Sequence, residues 1–203
     1  MNVSPLVPTP LNAPYRLADG RAVQFGAVTP ASRAIIERAV AHLSPETSRR
    51  RFFTVRYRLS ERELDELTHL DGIERYAVGA SVVTPGGGVE GVGVARYVRD
   101  AADHDVAELA LLVVDAYQGR GIGRTLLARL ASAAIDRGIA RFRGMVLIDN
   151  EPMLRLLREY APDLDLLRID DYFRVEVPLM RPLPSRYAGG PLSSMTLPSG
   201  SLM

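Results

Sequence analysis

Apolar positions recur along the chain with two periods, two and about three and a half, and the changes between them mark out its elements. From Ala22 to Val28, Val23, Phe25 and Ala27 alternate with Gln24 and Gly26, the pattern of a half-buried strand. Thr29-Pro30 then offers an N-cap and a proline at the first helical position. Ile35, Ile36, Ala39, Val40 and Leu43 follow at helical spacing, so a helix is predicted over 30–43. Ser44-Pro45-Glu46 repeats the start signal for a short helix ending near Phe53. Ser60 and Glu63 have the spacing of a capping box ahead of Leu64, Leu67 and Leu70, one face of a third helix.

Strand signals dominate next. Tyr76 to Val83 and Val89 to Val98 flank Pro85-Gly86-Gly87-Gly88, which reads as a hairpin loop, and Val106 to Asp115 is a very apolar strand. A long helix is predicted from about Gly121 to Arg137, with Gly138 as its stop. Arg143 to Ile148 reads as a strand, Glu151 to Tyr160 as a helix between Asn150 and Pro162, and Leu164 to Ile169 and Tyr172 to Leu179 as the last strands. The order β-α-α-α-β-β-β-α-β-α-β-β is that of an α+β protein, a sheet with helices on its faces.

Residues 1–14 are rich in Pro, Ser and Asn, and residues 182–203 carry Pro, Gly and Ser with no apolar period. They read as a flexible arm and tail around one domain over 15–181. A chain of 203 residues supports one well-buried core. With a net charge of +1, bulk electrostatics point to neither a nucleic acid nor a membrane. No apolar run approaches the roughly 18 residues of a spanning helix, and the first residues lack a signal peptide's basic start and apolar stretch. A cytoplasmic protein is expected. Cysteine is absent, which removes disulfides, thiolate metal sites and a Cys nucleophile. The three histidines stand far apart, so no metal site is expected. All 25 cationic side chains are arginines.

The chemistry concentrates where strand 106–115 runs into Gln118-Gly119-Arg120-Gly121-Ile122-Gly123-Arg124 and then a helix. Glycines let backbone N–H groups approach an anion, a helix N-terminus adds unpaired donors, and Arg120 and Arg124 add forked cations. This is a phosphate site in physical terms. It is not a P-loop, which needs a Gly-Lys pair, nor a dinucleotide fingerprint, which needs glycine where Arg124 stands.

Gln-Gly-Arg-Gly-Ile-Gly after an apolar strand resembles the Q/R-x-x-G-x-G/A signature of the GNAT superfamily of N-acyltransferases. Met145 to Leu157, MVLIDNEPMLRLL, is similar to that family's later segment, where an Asn follows a strand and opens a helix. The resemblance covers roughly residues 21 to 179. It implies a mixed, mostly antiparallel, twisted sheet of about six or seven strands with helices on both faces. It also implies that acetyl-CoA lies in a gap between strands 106–115 and 143–148, the former splayed by a bulge. The coenzyme's amides would pair with backbone near Leu111, Leu112 and Val113, and its pyrophosphate with the N–H groups of 118–124. Asn150 would line the far wall and Arg158 would reach a phosphate.

A lysine-like acceptor with a pKa of about 10.4 is a free amine roughly once in 2,500 molecules at pH 7, so a base assists attack. Glu108 is the candidate, because Val106-Ala107-Glu108-Leu109-Ala110 surrounds its carboxylate with apolar neighbours and predicts partial desolvation. Family members often carry a Glu there. Many relatives place a Tyr general acid on the helix after the Asn; here Leu157 takes that slot.

The segment AHLSPETSRRRFF (41–53) and the stretch VAELALLVVDAYQGRGIG (106–123) look like bacterial Pat-type protein-lysine acetyltransferases. That branch implies a protein lysine acceptor, for example on an acyl-CoA synthetase, in a monomer or homodimer. The acidic run Glu61, Glu63, Asp65, Glu66 and Asp71 reads either as an attractor for a basic acceptor or as a solvated helix face. Two other readings stay open: acylation of a small amine such as a polyamine or amino acid, and a non-catalytic acyl-CoA sensor.

Overall fold

Eight strands form one sheet in a computed structural model that describes residues 15–179. The arm at 1–14 and tail at 182–203 lie outside the described residues. The strands are β1 (Tyr15–Arg16), β2 (Ala22–Ala27), β3 (Arg75–Val83), β4 (Val89–Arg99), β5 (Val106–Val113), β6 (Arg141–Leu147), β7 (Asp165–Ile169) and β8 (Tyr172–Pro178). The helices are α1 (Arg33–Ala41), α2 (Pro45–Phe52), α3 (Glu61–Thr68), α4 (Ile122–Ile135) and α5 (Glu151–Tyr160). Strand order is β1-β2-β3-β4-β5-β6-β8-β7, and every neighbouring pair is antiparallel except β5 with β6.

The local signals read from the sequence build these elements. Ser44 caps α2 by accepting from the Thr47 N–H at 3.1 Å, and the Ser60–Glu63 capping box opens α3. Thr29-Pro30 starts one 3-10 turn before α1 begins, so the helix expected over 30–43 is shorter and in two parts. The eighth strand, β1, has only two residues, too short for any alternation to register. Its Tyr15 hydroxyl donates to the Arg120 carbonyl, which ties the first strand to the glycine-rich turn.

Pleat and register sort the side chains. Gly93 pairs with Val113, and both look toward Leu126 of α4. The alternate positions Val94, Arg96, Glu108, Ala110 and Leu112 therefore share the opposite face, the one covered by α1–α3. Leu126, Leu127, Leu130 and Phe142 are fully buried in the core between α4 and the sheet. Burying apolar side chains of that size contributes about 1.5–3 kcal/mol each.

The gap between β5 and β6 positions the site. The two strands pair only at Val106, Ala107 and Glu108 against Arg141, Phe142 and Arg143, then diverge. The expected bulge does not lie in β5, whose register with β4 runs unbroken from Ala107 to Val113. The irregularity falls instead between β3 and β4, at Ala80/Ser81, where Val92 is the extra residue. Divergence comes from the single parallel junction, since β6 is drawn across to β8 along its whole length, from Arg141 to Leu147.

Candidate active site

Between the divergent strands lies a cleft of about 570 Å³. Leu109 to Val113 form one wall, Gly144 to Val146 the other, with α5 and the glycine-rich turn at the open end and α2 across the top. Its closed end is Glu108, its open end Gly119 to Arg124. The structure thus brings together Glu108, Leu111, Leu112, Val113, Gln118, Gly119, Gly121, Gly123, Arg124 and Asn150, residues scattered over more than forty positions.

The turn is built from backbone. Gly119 and Gly121 have φ of 69° and 78°, the left-handed region that glycine enters without strain. Gly121 is doubly constrained, because a Cβ there would run into the Tyr15 hydroxyl oxygen. The N–H groups of Gly119, Arg120 and Gly121 find no acceptor among the described residues, and α4 begins at once with its own unpaired first-turn donors. Gly123 adds space, since a Cβ on it would point at Leu111, Val113 and Leu156 of the cleft floor. Free donors around such a hollow suit a diphosphate.

Side chains clamp this turn to α2. The Gln118 amide donates to the Val113 carbonyl and the Thr47 hydroxyl, both at 3.0 Å. Asp115 accepts from the Ser44 N–H at 3.0 Å, the Ser44 hydroxyl at 2.6 Å and the Thr47 hydroxyl at 2.7 Å. Burial opposes the Asp115 charge, yet these hydrogen bonds hold its carboxyl below the usual range. From α2, Arg49 pairs with Asp149, and Phe53 meets Tyr172 edge-to-face at 5.2 Å, so the helix straps the cleft from β5 to β8.

Other positions sit differently from expectation. Ile122 points into the core. Arg120 turns away from the cleft to Asp19, 3.1 Å distant, and stands over Tyr117. Arg158 is exposed on α5 and does not line the cleft; Arg155, one turn earlier, does. Asn150 caps α5, its side chain accepting from the Met153 N–H at 3.3 Å. Leu157 is fully buried, and Tyr160 packs against the core, where burial pushes its phenol up.

Glu108 is exposed, not desolvated. Its apolar sequence neighbours mislead, because alternate ones point to the far face while α2 leaves an opening over Glu108. The half-buried guanidiniums of Arg51 and Arg96 act on its charge from the same face. Neither was legible as a site residue. Arg51 sat within an arginine run, although its i, i+4 spacing from Thr47 put both on the sheet side of α2.

The acidic run is consumed by arginines: Glu61 and Asp65 pair with Arg33, Glu63 with Arg56, Glu66 with Arg62, and Asp71 with Arg75. A solvated, neutralised helix face is the outcome. Among the described residues, no group of acidic or histidine side chains could hold a metal, and no helix is long and apolar enough to cross a membrane.

Comparison with known proteins meets this geometry. The model of the acetyltransferase (GNAT) family matches residues 46–160. Acetyltransferase Pat of Mycolicibacterium smegmatis is 36% identical over 114 residues, 56% of this chain and 33% of that protein, so the chain spans about a third of that relative. The GNAT domain of S. lividans PAT superposes with a TM-score of 0.73 at 31% identity, covering 85% of this chain and 99% of that one. The yncA protein of Salmonella typhimurium, solved with its cofactor acetyl-CoA, shares the fold at 16% identity, with a TM-score of 0.58 over 80% of this chain and 96% of that one. The chain belongs to the acetyltransferase (GNAT) family, and among its members it is similar to the GNAT domain of a Pat protein.

Proposed function

We propose that the protein transfers an acetyl group from acetyl-CoA to the amine of a protein lysine by direct attack, with Glu108 as general base. One observation carries the reading: a single cleft has free backbone donors at one end and an accessible carboxylate at the other, with strand backbone between.

The residues present suit the coenzyme. Unpaired N–H groups of 119–121 would hold the diphosphate, with Arg124 and Arg155 adding charge at the rim. The edge of β5 beyond Glu108, unpaired toward β6, would take the pantetheine amides as an added strand does. The bound thioester supplies an activated acyl carbon. The chain's part is to position that carbon at the closed end and to take a proton from the incoming ammonium. Glu108, exposed and free of any ion pair among the described residues, is the group able to do so.

The protein lysine acceptor rests on the Pat-type relatives that this chain resembles. Acetyl-CoA turnover against a panel of acyl-CoA synthetases, followed by thiol release and mass spectrometry of lysines, tests it. Glu108→Gln should lower kcat by about 10²–10⁴-fold while coenzyme affinity stays put. Unchanged turnover removes the base from Glu108, and silence with every acceptor favours a sensor.

A further inference from the structure

A second cavity of about 170 Å³ lies beneath α1 and α3, on the same sheet face as Glu108. Its floor is small, with Gly79, Ser81 and Ala110, and its walls are apolar, with Ile36, Leu59 and Leu67. Arg51, Ala110 and Leu112 line both cavities, so the second adjoins the closed, reacting end of the cleft. Arg96 lines the second cavity alone.

The charges at this junction are unusual. Arg51 and Arg96 are half-buried, and neither guanidinium makes a hydrogen bond or an ion pair within 4 Å with any described residue; that of Arg51 has only the neighbouring Phe52 ring, 5.0 Å from its Cζ. Burial pulls the Arg51 guanidinium down to about 10, Arg96 repels it and Glu108 partly restores it, so it stays cationic at neutral pH. Arg96 is lowered for the same first reason. Partly desolvated cations without partners cost free energy that a bound anion would recover.

The sheet register fixes the spacing. Arg96 faces Ala110 and Val98 faces Glu108, which makes Arg96 and Glu108 diagonal neighbours about 7–8 Å apart, their Cβ atoms somewhat nearer. Two cations and one anion across a short gap, beside an apolar hollow, are complementary to a small zwitterion with an apolar body. A protein lysine reaches such a site as a lone cation on an apolar stem. A free amino acid brings its own counter-charge.

We propose that the protein also N-acetylates free α-amino acids with apolar side chains: Arg51 and Arg96 hold the carboxylate, Glu108 receives the ammonium, and the second cavity takes the side chain. This activity rests on the acetyl-CoA reading of the cleft. Glu108 accepts one ammonium proton, and the nitrogen lone pair forms the C–N bond as the thioester C–S bond breaks. The second N–H proton leaves with the sulfur, giving N-acetyl amino acid, free thiol and, from Glu108, one proton to solvent.

The test titrates the full chain with coenzyme A by calorimetry, then with L-leucine or L-phenylalanine in the coenzyme's presence, and measures thiol release from acetyl-CoA with each. Isopentylamine and phenethylamine, the same bodies without the carboxylate, serve as controls. Both amino acids should bind and yield N-acetyl products, and the bare amines should have KM values about tenfold to a hundredfold higher. Arg96→Gln should raise KM for the amino acids by a similar factor and leave coenzyme affinity unchanged, with Arg96→Lys partly restoring the amino-acid KM. Coenzyme binding without amino-acid binding overturns this proposal alone, as do bare amines that perform equally well. Absence of coenzyme binding overturns it together with the function above.

Discussion

At the open end of the cleft the protein presents backbone, and at the closed end it presents side-chain charge. The donors of Gly119, Arg120 and Gly121 are held by two left-handed glycines, by Tyr15 from β1 and by the clamp of Gln118 and Asp115 onto α2. Glu108, Arg51 and Arg96 are held by little more than the face of the sheet and one helix. A grip on a diphosphate needs fixed dipoles that require no reorganisation. A site that takes and releases protons from an incoming amine needs groups that remain open to solvent and to partners. The two ends are separable in the chain and should be separable by mutation.

The largest effect belongs to the charged end. Glu108→Gln, expected to slow turnover by about 10²–10⁴-fold, should leave coenzyme titration within about twofold of the wild type, which calorimetry on the same preparation checks. Next comes the backbone end. Gly121→Val places a side chain at φ 78° and against the Tyr15 hydroxyl, strain of about 1–3 kcal/mol. Coenzyme affinity should fall roughly tenfold to a hundredfold; if it does not, the turn is not where the coenzyme is gripped. Pairing Gly121→Val with Tyr15→Phe relieves the hydroxyl clash but not the φ strain, so recovery should be partial.

A smaller effect is expected at the clamp. Asp115→Asn keeps the shape but cannot accept all three hydrogen bonds as a carboxylate does, a loss of about 1–3 kcal/mol. Thermal denaturation should show Tm lower by about 2–4 °C per kcal/mol. The smallest effect concerns acid. Glu63 is held down to about 2 by N–H and hydroxyl donation from Ser60 and by Arg56, and Asp71 to about 2 by the N–H groups of Arg75, Ile73 and Glu74. A depressed folded-state pKa means stability that is complete above the ordinary values of 4.5 and 3.8 and lost as pH falls toward 2. Stability should therefore be flat from neutrality to about pH 5 and decline below it, and Glu63→Gln should flatten that decline.

The same contrast governs what could be read from the chain. The glycine-rich turn is local: strand, three glycines and helix start are contiguous, and Gln118 to Gly123 announced themselves in order. Asn150 was readable for the same reason, as a cap at a helix start. Glu108 was found as a carboxylate in an apolar strand, but its exposure was misjudged, because what covers a strand face is decided by α2, over fifty residues earlier. Arg51 and Arg96 were invisible as a pair, since only the β4–β5 register and the packing of α2 bring them to one place. Tyr15 was missed because a two-residue strand carries no period. Arg158, expected to reach a phosphate, does not line the cleft, whereas Arg155, one helical turn earlier, does. The bulge expected in β5 was displaced to β4, where Gly91-Val92-Gly93 has little side chain to resist it.

The grip of the 119–121 amides on a diphosphate is tested most directly by titrating the protein with coenzyme A and, separately, with pantetheine, which carries the same amides and thiol but no phosphate. Coenzyme A should bind, and pantetheine should bind roughly a hundredfold more weakly or worse. Equal affinities, or no heat from coenzyme A at all, would contradict the account.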